Sequence, residues 1–188
     1  MEAVEISGQH ALSFKIAAEI DQPDRARESL LDRAMGPNWK RKSSQKLRRG
    51  RRPSEGLAFV ARCEDGTLAG TVRLWDVATG DGRPALLLGP LAVEPSMKRA
   101  GIGKALMSHA VSEAKRLGHQ AILLVGDEAY YGRFGFSAKK TGQLSMPGPY
   151  ERHRFLALEL VPGSLDGATG TLKATGRKAK AAHVAAAA

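Results

Sequence analysis

The order of hydrophobic periodicities along this chain predicts an α/β fold, a mixed sheet with helices on its faces. Three observations carry that expectation. Residues 57–63 and 67–77 are strand-like runs joined by Glu64-Asp65-Gly66, an Asp-Gly hairpin signal. A near-continuous apolar run over 85–94 reads as a buried strand. It leads through a turn with two glycines into residues 101–117, where Ile102, Leu106, Ala110 and Leu117 fall on one helical stripe and Gly118 caps the end.

The other elements follow in order. Residues 1–10 read as a loose extension. Leu12, Phe14 and Ile16 alternate with Ser13, Lys15 and Ala17, the period-two pattern of a half-buried strand. Pro23-Asp24 opens a helix over 25–35 with Leu30, Leu31 and Ala34 as its apolar face, and Gly36-Pro37 stops it. The basic stretch 38–53 predicts a short helix between loops. Gly80-Asp81-Gly82 makes the next turn. Within 85–94, Gly89-Pro90 predicts a bulge or splay, because proline cannot donate to the ladder, and Pro95 closes the strand. Residues 121–125 form a short buried strand. Asp127 caps a short helix running to Phe134, Gly135 ends it, and Phe136 starts another strand. Over 154–160, Phe155, Ala157 and Glu159 oppose Leu156, Leu158 and Leu160 in strand alternation. Residues 162–176, rich in Gly, Thr and Ser, read as loop or edge structure. The low-complexity end 177–188 reads as disorder or frayed helix. The expected organisation is an extension over 1–10, one domain over 11–162, and a flexible loop and basic Ala-rich tail over 163–188.

A chain of 188 residues with 43% apolar content suits one soluble domain with a sizeable core. No stretch nears the roughly 20 apolar residues of a membrane span. The first residues lack a basic region followed by an apolar run, so no secretory signal is expected. One cysteine, Cys63, forbids an internal disulfide and fits a reducing cytoplasm. Cys63 itself reads as a small mid-strand side chain. The net charge of +10 calls for an anionic partner or a solvated basic surface. Eight basic residues crowd positions 40–52, and Lys173, Arg177, Lys178 and Lys180 add to the C-terminus. Nucleic acid is disfavoured, since no aromatics interleave with these charges and no reading motif accompanies them.

The most informative span is 86–106. Glycine at 101 and 103 lets backbone approach a ligand closely. The first N–H groups of the following helix have no internal partners and carry the positive end of its dipole. Together they suit a diphosphate, with Lys98, Arg99 and Lys104 adding charge beside it. A dinucleotide fingerprint would need glycine where Leu106 stands. A P-loop would need Ser or Thr where Ala105 stands. The remaining pattern is basic-x-x-Gly-x-Gly, filled by Lys98, Gly101 and Gly103; by itself it also suits a plain strand–helix turn.

Leu88-Gly89-Pro90-Leu91-Ala92-Val93-Glu94-Pro95, followed by Lys98 to Leu106, resembles the acetyl-CoA-binding motif of the GNAT N-acetyltransferases. Lys98 departs from the Gln or Arg usual at the first place. Residues 124–136, ending in Phe134-Gly135-Phe136, resemble the family's strand, short helix and Gly-Phe segment. With Val72-Arg73-Leu74-Trp75 and the strand at 154–160, residues 12–162 look like the YhbS-like branch. The resemblance implies a GNAT-like, largely antiparallel mixed sheet with splayed central strands and flanking helices. It implies acetyl-CoA as cosubstrate, held by Lys98, Arg99, Ala100, Gly101, Ile102, Gly103 and Lys104. It places an oxyanion-stabilising backbone N–H near Leu91, Ala92 and Val93. It points to Tyr131, five residues before Phe136, as the acid that protonates the leaving thiolate. Tyr131 can equally be a core tyrosine, and Tyr130 is expected to pack.

A general base is not singled out. Glu94 suits a surface turn, Asp127 an N-cap, and Glu55 and His153 have no predicted place. A water chain serves as well. His109 and Glu113, four apart, suit a rim or a structural hydrogen bond better than a metal pair, for no third ligand is visible. Trp39 and Trp75 suit either core or cleft. The implied activity is acetylation of an amine on a small molecule or protein. A tRNA-directed acetyltransferase and a non-catalytic CoA- or nucleic-acid-binding module are the alternatives. Oligomeric state, a homodimer included, stays open.

Overall fold

A computed structural model describes residues 13–19 and 25–179. The expected N-terminal extension, Leu12, Pro23-Asp24 and most of the Ala-rich tail lie outside the described residues. In chain order the elements are β1 Phe14–Ala18, α1 Arg25–Met35, α2 Gln45–Arg48, β2 Ala58–Cys63, β3 Leu68–Ala78 and β4 Pro84–Val93. There follow α3 Ile102–Arg116, β5 Ala121–Val125, α4 Glu128–Tyr131, β6 Leu144–Ser145, β7 Phe155–Glu159, β8 Gly170–Thr171 and β9 Lys173–Ala174.

The main sheet runs β1-β2-β3-β4-β5-β7, with β9 also paired to β3. Its ladders are antiparallel except for β4 and β5, which run parallel. The hairpin at Asp65-Gly66 sets β2 against β3. The bulge at Gly89-Pro90 is present: Val72 pairs with Leu91 and Leu74 with Leu88, so Arg73 alone faces both residues. The splay is present too. Only Leu86↔Ile122 and Leu87↔Leu123 join β4 to β5, and beyond Leu87 the two strands part.

Period-two alternation sorts the sheet's side chains into two cores. Leu74, Leu86, Ile122 and Leu156 face α3, whose Ile102, Leu106, Met107 and Ala110 are wholly buried. Trp75, Leu87, Leu123 and Phe155 face the opposite side. Truncating a residue such as Leu106 to alanine would cost about 2–5 kcal/mol, the range for a filled aliphatic site. Leu30 and Leu31 seat α1 against Trp39, Val60 and Ala92 in a third cluster.

Three expectations are corrected. Leu117 is not part of the buried stripe: it is the residue after α3, 40% exposed, and a side chain on Gly56 would meet its Cδ1. Phe136 does not start a strand. It is buried, and only Ser137 makes a bridge, to Ala157, before a 3₁₀ turn over Ala138–Lys140. In β7 the alternation does not divide core from solvent, because Phe155, Leu156 and Ala157 are all buried. The reason lies in the Gly/Thr/Ser-rich stretch, whose Leu165, Ala168 and Leu172 cover the second face.

Candidate active site

The gap between β4 and β5 opens into a cleft of about 500 Å³. One wall is the bulged segment Leu88–Leu91 and the other is Leu124, Val125 and Tyr131. The bulge is pinned from below: Trp75 donates its indole N–H to Gly89 O at 2.6 Å. Gly89 has φ 122°, and a side chain there would meet Arg48 Nη2 at 2.9 Å, so glycine is needed for both reasons.

Downstream of the bulge, the glycine turn leads from β4 into α3. After β4 comes a 3₁₀ turn over Pro95–Met97, then Lys98 to Gly101, then α3. Arg99 and Gly101 have positive φ, 73° and 80°. The first bond of α3 runs from Ala105 N–H to Gly101 O. Among the described residues, no acceptor meets the N–H groups of Arg99, Gly101, Ile102, Gly103 or Lys104. Lys98, Arg99 and Lys104 are exposed. Ile102 and Ala92 are buried, so they can offer a ligand only backbone. Val93 and Leu91 are half-buried at the open end of β4.

Tyr131 lines the same cleft as Leu91. Among the described residues no protein group hydrogen-bonds its hydroxyl. Burial pushes its phenol up to about 12, and Tyr130 adds to the rise, while Arg154 and Arg48 pull the other way. Its ring is seated by Gly126, where a Cβ would stand 2.2 Å from Cε2. Tyr130 packs edge-on against it at 4.9 Å between centroids, with the Arg133 guanidinium 4.9 Å from the Tyr130 ring. A Cβ at Gly103 would lie 2.9 Å from Tyr130 Oη, so Tyr130 joins the helix start to Tyr131.

The carboxylates weighed as bases do not line the cleft. Glu94 is held by Arg33 at 2.8 Å. Asp127 is exposed at the N-cap of α4, where its carbonyl rather than its side chain accepts from Tyr130 and Tyr131. Glu55 and His153 are mostly exposed. The one lining carboxylate is Glu151, at the rim, 3.6 Å from Arg154 and 3.5 Å from His153. Elsewhere, His109 stacks edge-on against Phe59 at 4.6 Å and Glu113 pairs with Arg116 at 2.7 Å. Among the described residues there is no group of three or more His, Cys, Asp or Glu fit to hold a metal, and no helix is long and apolar enough to cross a membrane.

Three cleft cations escaped attention as site residues: Lys42, Arg48 and Arg154. Arg48 donates from Nη2 to Leu88 O at 3.5 Å, a long contact. Burial pushes its guanidinium down to about 9, with Arg27 adding to the effect, and it stays a cation at neutral pH. The crowding of positions 40–52 signalled the first two. Nothing local marked Arg154, which Gly126 N–H fixes by bonding its carbonyl at 2.8 Å.

The N-acetyltransferase YhbS of Escherichia coli strain K12 is 27% identical over 118 residues, 62% of this chain and 71% of that protein. The structure of Escherichia coli YhbS in complex with CoA superposes with a TM-score of 0.71 at 25% identity, covering 87% of this chain and 90% of that one. A GNAT family acetyltransferase from Brucella melitensis in complex with acetyl-CoA gives a TM-score of 0.62 at 25% identity, covering 86% and 95%. A mycothiol acetyltransferase from Propionibacterium freudenreichii is 36% identical over 102 residues, 51% of this chain but 32% of that protein. The Acetyltransferase (GNAT) family profile matches residues 25–136, more than half of the chain. With its sheet order, splayed strands and glycine turn, the chain belongs to the GNAT family of acetyltransferases, enzymes whose cosubstrate is acetyl-CoA.

Proposed function

We propose that this enzyme transfers an acetyl group from acetyl-CoA to a primary amine on a small molecule or protein, by direct attack in a ternary complex. The observation that carries this reading is the set of unpaired N–H groups at Arg99 and at Gly101 to Lys104, beside a splayed strand whose cleft is also lined by a buried phenol. Those amides, with Lys98, Arg99 and Lys104, hold the pyrophosphate. A left-handed arginine costs about 1 kcal/mol, which favours a functional reason for the turn. Pantetheine amides pair with the open edge of β4 beyond Leu87. A backbone N–H near Leu91–Val93 faces the negative charge that develops on the thioester oxygen.

In the reaction the amine nitrogen bonds to the acetyl carbon and the carbon–sulfur bond breaks. Tyr131 gives its proton to the departing sulfur, and the nitrogen releases one to water, from which Tyr131 is restored. A phenol raised to about 12 stays protonated through the neutral range and is ready as this acid. Water fits the part of base because, among the described residues, the one carboxylate lining the cleft is the exposed Glu151. A cytoplasmic setting accords with the lone free thiol Cys63.

The test is Tyr131→Phe, followed by free-thiol release. It should lower kcat by about 100-fold or more, with acetyl-CoA affinity within twofold of wild type. Acetyl-CoA should raise the melting temperature of both proteins. Full activity in Tyr131→Phe removes the phenol from its role, and the absence of any stabilisation at millimolar acetyl-CoA overturns the whole reading.

A further inference from the structure

The cleft holds more positive charge than acetyl transfer requires. Arg48, Arg154 and Lys42 line it together with Tyr131. Arg48 has no carboxylate partner among the described residues. The Nε atoms of Arg48 and Arg154 are both withdrawn from solvent with no hydrogen-bond partner. Such donors are costly to bury and ask for an acceptor. Lys42 is pushed down first by burial and then by Arg154 and Arg48, so the three cations feel one another. Glu151 is the only acid among the lining residues, and it sits at the solvent rim, shared with His153.

A neighbouring hollow of about 260 Å³ makes the contrast. It shares Arg48, Trp39 and Pro90 with the cleft and has its own basic residues. There part of the charge is answered from within the chain. Glu19 is bonded by Arg73 at 2.5 and 2.6 Å and lies 3.7 Å from Arg27, while Lys40 meets Glu28 at 3.2 Å. In the cleft, by contrast, the single lining acid Glu151 stands against three lining cations.

We propose that the acceptor is a small molecule bearing an anionic group, carboxylate or phosphate, in addition to its amine, and that Arg48, Arg154 and Lys42 hold that group while the amine is presented beside Tyr131. This rests on the acetyltransferase reading above. Arginine forks match the oxygens of either anion in pairs of hydrogen bonds, and lysine adds a point charge. A small acceptor is favoured because the cleft is walled by Trp39, Pro149 and Tyr150 and has the volume of a metabolite site. The inference also gives the crowded basic segment a task, since its Lys42 and Arg48 point to one ligand.

The experiment compares matched acceptors by CoA thiol release: glycine, β-alanine and γ-aminobutyrate against their carboxamides, and phosphoethanolamine against ethanolamine. At least one anionic member should exceed its neutral partner in kcat/KM by about 10- to 100-fold. The two arms tell carboxylate from phosphate. Arg48→Gln should erase that preference by raising KM for the anionic member far more than for its neutral partner. Arg48→Lys should restore part of it, and Arg154→Gln should act in the same direction as Arg48→Gln. Stabilisation by acetyl-CoA, measured on each variant, shows that it is folded and that the cosubstrate site is intact. Equal use of anionic and neutral acceptors, an equal loss for both in Arg48→Gln, or no anionic acceptor used by a protein that acetyl-CoA does stabilise would each overturn the proposal. A protein that acetyl-CoA does not stabilise fails at the earlier reading instead. In that case saturable, salt-sensitive quenching of tryptophan fluorescence by β-alanine or phosphoethanolamine, lost in Arg48→Gln, would still support the anion site, and its absence would end it.

Discussion

Alanine at position 126 would put one methyl group where the Tyr131 ring now lies. Its Cβ would stand 2.2 Å from Cε2, 2.8 Å from Cδ2 and 3.2 Å from Leu124 Cδ1. Carbon atoms settle at about 3.5–4 Å, so the ring must retreat by more than about 1 Å. It has little room, with Tyr130 edge-on at 4.9 Å and Phe136 at 6.2 Å between centroids. The backbone of Gly126 is not left-handed, so the effect of Gly126→Ala is steric. Overpacking of this kind costs about 1–3 kcal/mol, or roughly 2–10 °C in melting temperature for a domain of this size. A catalytic group misplaced by about 1 Å loses roughly 100-fold in rate, so kcat should fall that far with acetyl-CoA affinity little changed. Calorimetry and thiol release read the two effects separately. In a Tyr131→Phe background the ring remains, so the stability cost should persist while the kcat cost no longer adds. In a Tyr131→Ala background the stability cost should vanish. Wild-type melting and turnover in Gly126→Ala, or an undiminished stability cost beside Tyr131→Ala, would refute the claim that this glycine exists to seat the phenol.

Two further outcomes are expected. Gly103→Val puts a branched side chain among the free amides of α3; acetyl-CoA affinity measured by titration calorimetry should fall by about tenfold or more. Its stability loss should be small, about 1 kcal/mol, because the obstacle is the far end of Tyr130 at 2.9 Å, which can turn aside; unchanged affinity would remove the turn from the cosubstrate site. The second concerns alkaline stability. Folding raises the Tyr131 phenol from 10.0 to about 12, so the native state keeps a proton that the unfolded chain gives up. This contribution is whole below pH 10 and is lost as pH rises through about 12, at up to about 1.4 kcal/mol per pH unit. Urea unfolding across that window should therefore show a steeper decline for the wild type than for Tyr131→Phe, and parallel curves would contradict a buried phenol.

Much of the frame could be read in advance. The Asp65-Gly66 hairpin, the interruption at Gly89-Pro90 and the helix over Ile102–Arg116 are local events, each governed by a few neighbouring residues. The glycine turn was legible for the same reason: amides left free by a helix start are a consequence of chain geometry. What failed was nonlocal. The alternation in Phe155–Glu159 could not reveal that a Gly-rich segment returns to cover its second face through Leu165 and Leu172. Leu117 had helical spacing but stands one residue beyond the helix. Tyr131 was reached through family resemblance, since no periodicity distinguishes it from Tyr130. The meeting of Arg48 with Arg154 joins residues from opposite ends of the domain, and only the packing of segment 37–48 over the bulge brings them together.

Among the described residues, Leu86↔Ile122 and Leu87↔Leu123 are the ladder pairs that join β4 to β5, one half of the sheet to the other. A seam stitched at one end behaves as a hinge, with its stiffness set by how many further rungs are filled. An extended amide chain lodged in the opening would add rungs of its own and close the unstitched length. Occupancy and rigidity then become a single variable, and hydrogen exchange in Ala121–Val125 would slow as the site fills.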